Sequence, residues 1–200
     1  MSRRNDHSRE EIREMALAAA EKIVLKQGYS GLSARKVARA IGYTVGTLYL
    51  VFDNLDDLIL QANGRTLDRL HAQMVKDQRQ YQGTRERLLQ LGQTYIRFAD
   101  EDPHRWEMIF EHRFPEGQER PEWFQQKVAR MFSLVETGLE PLAEHHSTQE
   151  IAQAARALWG GVHGICILAI THKLDVAGVD SVHDLIQSLM DNYLRGFTSH

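Results

Sequence analysis

The residues best able to do chemistry in this chain are the hydroxyl-bearing and basic side chains of residues 33–52. Ser33 and Thr44 are good helix N-caps, and Gly42 stands where a left-handed residue ends the first of two short helices. Hydroxyl and basic side chains hydrogen-bond to phosphates, and an arginine also binds the edge of guanine. Because a helix, a glycine-containing turn and a second helix form the arrangement that enters the DNA major groove, this segment predicts binding to double-stranded DNA. A purely structural helical hairpin is the alternative.

The ten histidines suggest metal binding as a second possible chemistry. The protein would then be a helical enzyme or scaffold that carries the same two helices. Bundles that bind two metal ions use Glu-x-x-His pairs on long helices. The pair Glu101-x-x-His104 is interrupted by Pro103, which breaks the helical register, and no second pair follows. A serine-histidine-aspartate arrangement and a glycine-rich phosphate loop are not recognisable. We therefore predict no catalytic residue, no metal ligand and no cofactor, and the metal-binding enzyme remains the alternative function.

The flanking segments supply the elements that must position the two short helices. Ser8-x-x-Glu11 forms a capping box that begins a helix, and Gly28 ends that helix. Asn54-x-x-Asp57 caps a further helix after the second short one. These signals predict a compact unit of three helices that leads into a fourth.

Several turn, cap and core residues of this region agree with a known pattern in one register. They are Gly28-Tyr29-x-x-Leu32-Ser33, Val37-Ala38-x-x-Ile41-Gly42-Tyr43-Thr44, Gly46-Thr47-Leu48-Tyr49-x-x-Phe52 and Leu58-Ile59. Residues 8–65 resemble the DNA-binding domain of the tetracycline-repressor (TetR) family of bacterial transcription regulators, with the helix-turn-helix motif at residues 32–52. The resemblance implies a repressor that binds a palindromic operator as a homodimer and is released by a small apolar effector.

The resemblance also implies two kinds of DNA contact. Phosphate contacts are expected from the cap and first turns of the second short helix, at Thr44, Thr47 and Tyr49. The side chains expected to face the groove are Arg35, Lys36 and Val45, and Leu50 is a further predicted DNA-binding residue. The best candidate for direct base readout is the arginine, because a guanidinium can engage O6 and N7 of guanine together.

The sequence departs from the family pattern at three positions. Leu55 stands where the family usually places a lysine at the start of the fourth helix. Leu50 and Val51 stand where aromatic or histidine side chains are common. Fewer polar groups then face the DNA, so methyl contacts with thymine and DNA shape carry more of the specificity.

Composition extends the helical interpretation to the whole chain. The 200 residues include only four prolines, and capped helical segments recur without a β-rich run. We predict an all-α protein of about nine helices, in which residues 66–200 form a larger bundle for ligand binding and dimerisation. Residues 1–52 hold nine Lys and Arg against five Asp and Glu, a net charge of +4, whereas the remainder carries −7. A basic end on an acidic body fits a protein that meets phosphate at one end.

The apolar segment Leu158–Ile170 predicts the subunit interface. It contains Trp159-Gly160-Gly161-Val162-His163-Gly164, which is similar to the Trp-x-x-x-His-Gly segment of one subgroup of TetR-family regulatory domains. Each glycine costs roughly 1 kcal/mol of helix propensity, which suggests the close approach of another helix. In the family the last two helices of each subunit form a four-helix dimer interface, so we predict a homodimer. A helix buried within one subunit is the alternative.

Aromatic and methionine side chains of the larger region predict a cavity for a small, largely apolar effector. The predicted effector-binding residues are Tyr95, Trp106, Phe110, Phe114, Phe132, Trp159 and His163. We expect the loop at residues 114–121 to act as a movable cover. Simple core packing is the alternative for any one of these side chains.

The remaining signals concern the compartment of the protein. Cys166, the single cysteine, lies in an apolar run and is expected to be a buried, inert thiol. Residues 1–6 are polar and predict a loose basic arm rather than a signal peptide. The longest apolar run has thirteen residues, too short to span a bilayer. We therefore expect a soluble cytoplasmic protein with no membrane association.

Overall fold

The computed structural model describes residues 7–115, 117, 119–174, 178 and 181–199. The predicted basic arm at residues 1–6 lies outside the described residues, as do residues 116 and 118 of the predicted cover loop. Helices make up the regular structure of the described residues, and no β-strand is present among them.

Nine α-helices follow one another in the described part of the chain, which confirms the all-α prediction. They are α1 (Arg9–Gln27), α2 (Ala34–Ala40), α3 (Val45–Leu48), α4 (Leu55–Gln78), α5 (Thr84–Glu101), α6 (Pro103–Glu111), α7 (Glu122–Leu139), α8 (Thr148–Ile170) and α9 (Val182–Phe197). Short 3₁₀ turns, Tyr29–Gly31 and Glu140–Leu142, follow α1 and α7.

Local capping signals explain where several of these helices begin and end. Ser8 closes a reciprocal capping box at the start of α1, and Ser147 does the same for α8. At the start of α4, the amide of Asp57 donates a hydrogen bond to Oδ1 of Asn54 at 2.8 Å. Gly42 has a φ of 76°, the left-handed conformation that lets the chain reverse between α2 and α3.

The chain forms two compact units. Unit 1 contains residues 1–66 and 104–124, and unit 2 contains residues 67–103 and 125–200. The first break, after residue 66, lies beside the domain boundary predicted after residue 65. Unit 1 also includes nearly all of α6, although this helix lies within the predicted C-terminal domain, residues 66–200.

Apolar side chains from α1, α2, α3, α4 and α6 form the core of unit 1. Its completely buried residues include Val24, Val37, Leu48, Leu58 and Met108. The methionine is the contribution of α6, which makes this helix part of the same core as the helix-turn-helix.

Polar contacts also join α6 and the residues after it to α1 and α4 within unit 1. His112 Nε2 lies 2.9 Å from Asp56 Oδ1, and a guanidinium nitrogen of Arg105 lies 3.7 Å from a carboxylate oxygen of Glu21. The backbone carbonyl of Met108 accepts the amide of His112 at 3.2 Å. Packing and polar contacts therefore fix α6 in unit 1.

In unit 2, helices α5, α8 and α9 pack closely against one another. A Cβ added at Gly92 of α5 would lie 3.1 Å from Cγ2 of Ile186 on α9. One added at Gly161 of α8 would lie 2.7 Å from Cδ2 of Leu189 on α9. These two glycines therefore permit the close approach of α9 to both of its neighbours.

Candidate DNA-binding surface and ligand cavity

Buried apolar residues orient the helix-turn-helix of unit 1. Val37 and Ala38 of α2 and Leu48 of α3 are inaccessible to solvent, and Phe52 follows them into the core. The hydroxyl of Thr44 accepts the amide of Thr47 at 3.2 Å, which fixes the N-terminus of α3. Since the apolar faces point inward, the opposite faces of α2 and α3 are left toward solvent.

An open cleft of about 380 Å³ lies between α2 and the start of α3. Its lining residues are Arg35, Ala38, Arg39, Gly42, Tyr43, Thr44 and Val45. The side chain of Arg35 is exposed there, and no described residue holds its guanidinium in a hydrogen bond or ion pair. Arg39 joins it, one helical turn further along α2, as a second exposed cation that our motif comparison missed.

The other predicted phosphate and groove contacts lie on or beside α3. Tyr49 is 45% exposed and Leu50 is 61% exposed, so both side chains are accessible to a partner. The hydroxyls of Thr44 and Thr47 lie 3.0 Å apart. Val45 is half-buried at the start of the helix. These five side chains thus lie on one short segment, three of them exposed and two, Val45 and Thr47, half-buried.

Lys36 differs from its neighbour Arg35. Its ammonium group donates hydrogen bonds to Oε1 of Gln27 and to the carbonyl oxygen of Gly31, each at 2.7 Å. The charge is therefore held against the end of α1 and the following 3₁₀ turn. A contact of this ammonium group with DNA would have to compete with both hydrogen bonds.

Unit 2 contains a small, almost wholly apolar cavity between α4, α5, α7, α8 and α9. Its volume is about 40 Å³. Tyr95 and Trp159, both predicted effector-binding residues, line it, together with Leu88, Leu158 and Met190 among others. The cavity is therefore bounded by side chains from the helices whose periodicity we had assigned to the larger bundle.

A row of rings connects this cavity to the surface of unit 2. The Tyr95 hydroxyl lies 2.8 Å from Nδ1 of His163, and the imidazole stacks on the indole of Trp159 with centroids 4.9 Å apart. Phe132 meets the same indole edge to face at 5.7 Å. The guanidinium of Arg156 lies 4.8 Å above the Phe132 ring. Four of the predicted effector residues thus form a chain of contacts, each ring touching the next.

The other three predicted effector residues lie in unit 1. Trp106 is 1% exposed and its ring is 4.8 Å from that of Phe110. Phe114 makes an edge contact with His112 at 6.4 Å. None of these three rings is among the residues that line the cavity of unit 2. Aromatic character alone does not show to which of the two units they belong.

Helix α8 carries three distinct faces. One is buried in unit 2, at Ala154, Ala155, Leu158, Val162 and Cys166. A second bears the ring row. The third combines Gly160 and Gly164, with no atom within 4 Å of an added Cβ, and the exposed Ile167 and Leu168.

By length and composition α8 could also cross a membrane, a test that core helices of soluble proteins pass as well. Among the described residues, no group of three or more His, Cys, Asp and Glu side chains is placed to hold a metal ion.

Two family profiles match this chain. The profile described as bacterial regulatory proteins, tetR family, matches residues 16–62. The profile described as tetracyclin repressor-like, C-terminal domain, matches residues 88–193, more than half of the chain. A comparison with curated proteins gave no match.

Solved structures share the fold over nearly the whole chain. A protein of unknown function from Rhodococcus sp. RHA1 is 20% identical with a TM-score of 0.77, and the alignment covers 98% of both chains. A TetR transcriptional regulator from the same organism is 14% identical with a TM-score of 0.66, covering 94% of this chain and 98% of that one. The transcriptional regulator FadR from Bacillus subtilis, in complex with stearoyl-CoA, is 15% identical with a TM-score of 0.62, covering 93% and 97%.

The solved structures establish a common fold, and the two profiles establish the family. The chain belongs to the TetR family of bacterial regulatory proteins and is a DNA-binding transcriptional regulator with an N-terminal helix-turn-helix and a C-terminal ligand-binding domain.

Proposed function

We propose that this regulator is a cytoplasmic homodimer that binds a palindromic operator, represses transcription and is released by a small, largely apolar effector. Residues 8–65 serve as the DNA-binding domain in this proposal, and residues 66–200 serve in ligand binding and dimerisation. The observation that carries it is the exposed cleft of the helix-turn-helix, where the guanidinium of Arg35 is available to a partner.

The proposed DNA contacts divide by chemistry. Arg35 reads base edges in the major groove, assisted by methyl contacts from Val45 and Leu50. The hydroxyls around the start of α3 and the Tyr49 hydroxyl bind phosphates. Lys36 contributes a positive charge beside the same surface, and its ammonium group reaches phosphate only by leaving Gln27 and Gly31.

A second copy of the chain covers the glycine-bearing face of α8 in the proposed dimer. Gly160, Gly164, Ile167 and Leu168 recur at intervals of three and four residues, so they form one stripe along the helix. An exposed stripe of apolar side chains and glycines is typical of a surface that another helix covers, and it is unfavourable in contact with water. Contact with a second copy would also account for the apolar composition of this helix without placing it in a membrane.

The effector response rests on the family and on the cavity. The FadR neighbour was solved in complex with stearoyl-CoA, which supports a small-molecule ligand for this fold. The proposed effector contacts in unit 2 are Tyr95, Phe132, Trp159 and His163. Those in unit 1 are Trp106, Phe110 and Phe114. To lower operator affinity tenfold, the ligand must favour the unbound arrangement by about 1.4 kcal/mol per dimer.

The test is a mobility-shift titration with the DNA adjacent to the gene and with a random duplex of equal length, each with and without divalent metal. We expect selective, metal-independent binding to the adjacent DNA and reduced transcription from it in vitro. Equal affinity for both duplexes would contradict operator binding. Activation instead of reduction would contradict repression and leave operator binding intact.

A further inference from the structure

The cavity of unit 2 has the lining of a site for uncharged molecules. Its walls are alkyl, thioether and aromatic side chains, and no charged side chain is among the lining residues. The polar groups of its lining side chains are the Trp159 indole N–H and the Tyr95 hydroxyl, and the hydroxyl is hydrogen-bonded to Nδ1 of His163. Small-molecule sites commonly combine such an apolar lining with a few polar groups that fix orientation.

The polar corner of this cavity is itself neutral. Burial lowers the pKa of His163, so its imidazole is uncharged at neutral pH. The cation on this side of α8, Arg156, donates hydrogen bonds to Glu136 Oε1 at 2.8 Å and to the carbonyl of Ala152 at 2.6 Å. A carboxylate or phosphate placed in the cavity would therefore be buried without a positive partner, which is strongly unfavourable.

The cavity is also small, and its walls show how it could enlarge. About 40 Å³ holds no more than one or two methyl-sized groups. Met74 and Met190 line it, and unbranched methionine side chains readily change conformation. Trp159 both lines the cavity and is 37% exposed, so movement of its indole would widen the path from solvent into the cavity.

We propose that displacement of Trp159 admits an uncharged, mainly hydrocarbon ligand whose single hydroxyl or carbonyl group hydrogen-bonds to the Tyr95–His163 pair. This assignment rests on the proposed effector response and names its ligand class. It sets the site apart from the charged stearoyl-CoA of the FadR neighbour.

Matched pairs of probes test the assignment with the full-length protein. The neutral probes are 1-decanol, 2-phenylethanol and 1-naphthol, and the anionic partners are decanoate, phenylacetate and 1-naphthoate, with decanoyl-CoA added. Binding is measured calorimetrically at neutral pH, and operator affinity is measured in parallel. We expect at least one neutral probe to bind at least about tenfold more tightly than its anionic partner, a difference of about 1.4 kcal/mol.

Two pairs of variants locate the binding. Tyr95→Phe should weaken the best alcohol or phenol about tenfold, whereas Tyr193→Phe, a half-buried tyrosine that does not line the cavity, should not. Val135→Phe should fill the cavity and abolish binding. Val128→Phe, a half-buried position on the same helix outside the lining, should leave it unchanged.

The outcomes separate this assignment from the proposed function. Tighter binding of the carboxylates or of decanoyl-CoA, failure of every neutral probe to bind, or binding unaffected by Tyr95→Phe and Val135→Phe would overturn the ligand class. Release of the operator by an anionic probe alone would overturn the ligand class and retain the effector response. Neutral binding that obeys the variants but leaves operator affinity unchanged would retain the ligand class and overturn the effector response.

Discussion

Arg35 and Lys36 are consecutive basic residues of α2 with different surroundings. The Lys36 ammonium group is held by Gln27 and Gly31, whereas no described residue engages the Arg35 guanidinium. A guanidinium without an internal partner loses nothing within the protein when it binds a base edge. The Arg35 charge is therefore available to DNA and the Lys36 charge is already hydrogen-bonded, although the sequence shows only two consecutive basic residues.

Arg35→Ala should reduce operator affinity by about 1–3 kcal/mol because the bidentate contact with guanine is lost. Affinity for random DNA should fall much less. The matched control is Lys22→Ala, which removes an exposed positive charge from α1. Titrations of both variants on both duplexes measure the difference. Equal losses of Arg35→Ala on operator and random DNA would make this arginine a phosphate contact.

Leu55 is half-buried at the start of α4 and packs against the core of unit 1. In Leu55→Lys the aliphatic stem can keep part of this contact while the ammonium group extends to solvent. The new charge slightly opposes the helix dipole but adds a cation where the family usually has one. We expect tighter binding to all duplexes and a slope of log K against log salt that is steeper by about one. Leu55→Gln is the uncharged control, and an unchanged slope would place this position away from the phosphates.

Cys166 is completely buried, and burial raises the pKa of its thiol to about 12. A free thiol has a pKa near 8.5, so an accessible cysteine is largely ionised at about pH 9. The native protein should therefore resist a thiol reagent through this range and react with one equivalent after unfolding. Because the raised pKa belongs to the folded state, its contribution to stability should be complete below the unfolded pKa and decline as the pH rises above it. Stoichiometric labelling of the native protein at about pH 8 would contradict the buried, inert thiol.

Among the helices, the start signals were the most predictable features and the partners of α6 the least. The caps of α1, α4 and α8 act between residues three apart, so the sequence alone locates them. The burial of Met108 in the core around Leu48 joins residues far apart in the chain. An apolar periodicity shows that a helix has a buried face but does not identify the surface that covers it. For this reason the aromatic pattern groups Trp106 and Phe110 with Tyr95, although the structure places them in different units.

The contact of α4 with α6 contains a buried polar group that tests this packing. Asn63 is 1% exposed, its amide nitrogen donates a long 3.4 Å hydrogen bond to the Met108 carbonyl, and its Oδ1 has no partner among the described residues. Asn63→Leu should raise the free energy of unfolding by about 1 kcal/mol because an unsatisfied buried oxygen is removed. The carbonyl of Met108 keeps its hydrogen bond from the His112 amide.

Denaturant unfolding of Asn63→Leu measures this change. Asn192→Leu, at an exposed position of α9, is the control and should change stability by less than about 0.5 kcal/mol. A loss of more than about 1 kcal/mol in Asn63→Leu would show that the asparagine is better satisfied than its contacts indicate.

At the scale of the whole molecule, the chain combines a basic helix-turn-helix, an acidic remainder and an exposed apolar stripe on α8. The charge division and the glycines are visible in the sequence, but the open space beside Gly160 and Gly164 is a property of the fold. Gly161, between them, contacts Leu189 of the same chain. The three glycines therefore differ in their surroundings. Gly161 packs within the subunit, whereas Gly160 and Gly164 lie on the face that we assign to a second copy.

The dimer and its DNA binding can be tested together through Gly164→Leu. No atom of the described chain lies within 4 Å of a Cβ at this position, so the subunit should fold, and helix propensity should improve by roughly 1 kcal/mol. In the dimer the added side chain overpacks the interface at a cost of about 1–3 kcal/mol or more. Ala129→Leu, at an exposed position of α7, is the control. Sedimentation should show a dimer for the wild type and the control, and a shift to monomer for Gly164→Leu with an unchanged helical circular dichroism spectrum.

The salt dependence of DNA binding then reports how many half-sites are held. If each half-site supplies three or four phosphate contacts, the wild-type dimer should give a slope of log K against log salt of about −5 to −7. Monomeric Gly164→Leu should bind operator DNA far more weakly with about half that slope, because one set of counterions is released instead of two. Sedimentation of the wild type as a monomer at micromolar concentration would contradict the homodimer. A monomeric variant that kept the full slope would show that a single subunit makes all the phosphate contacts.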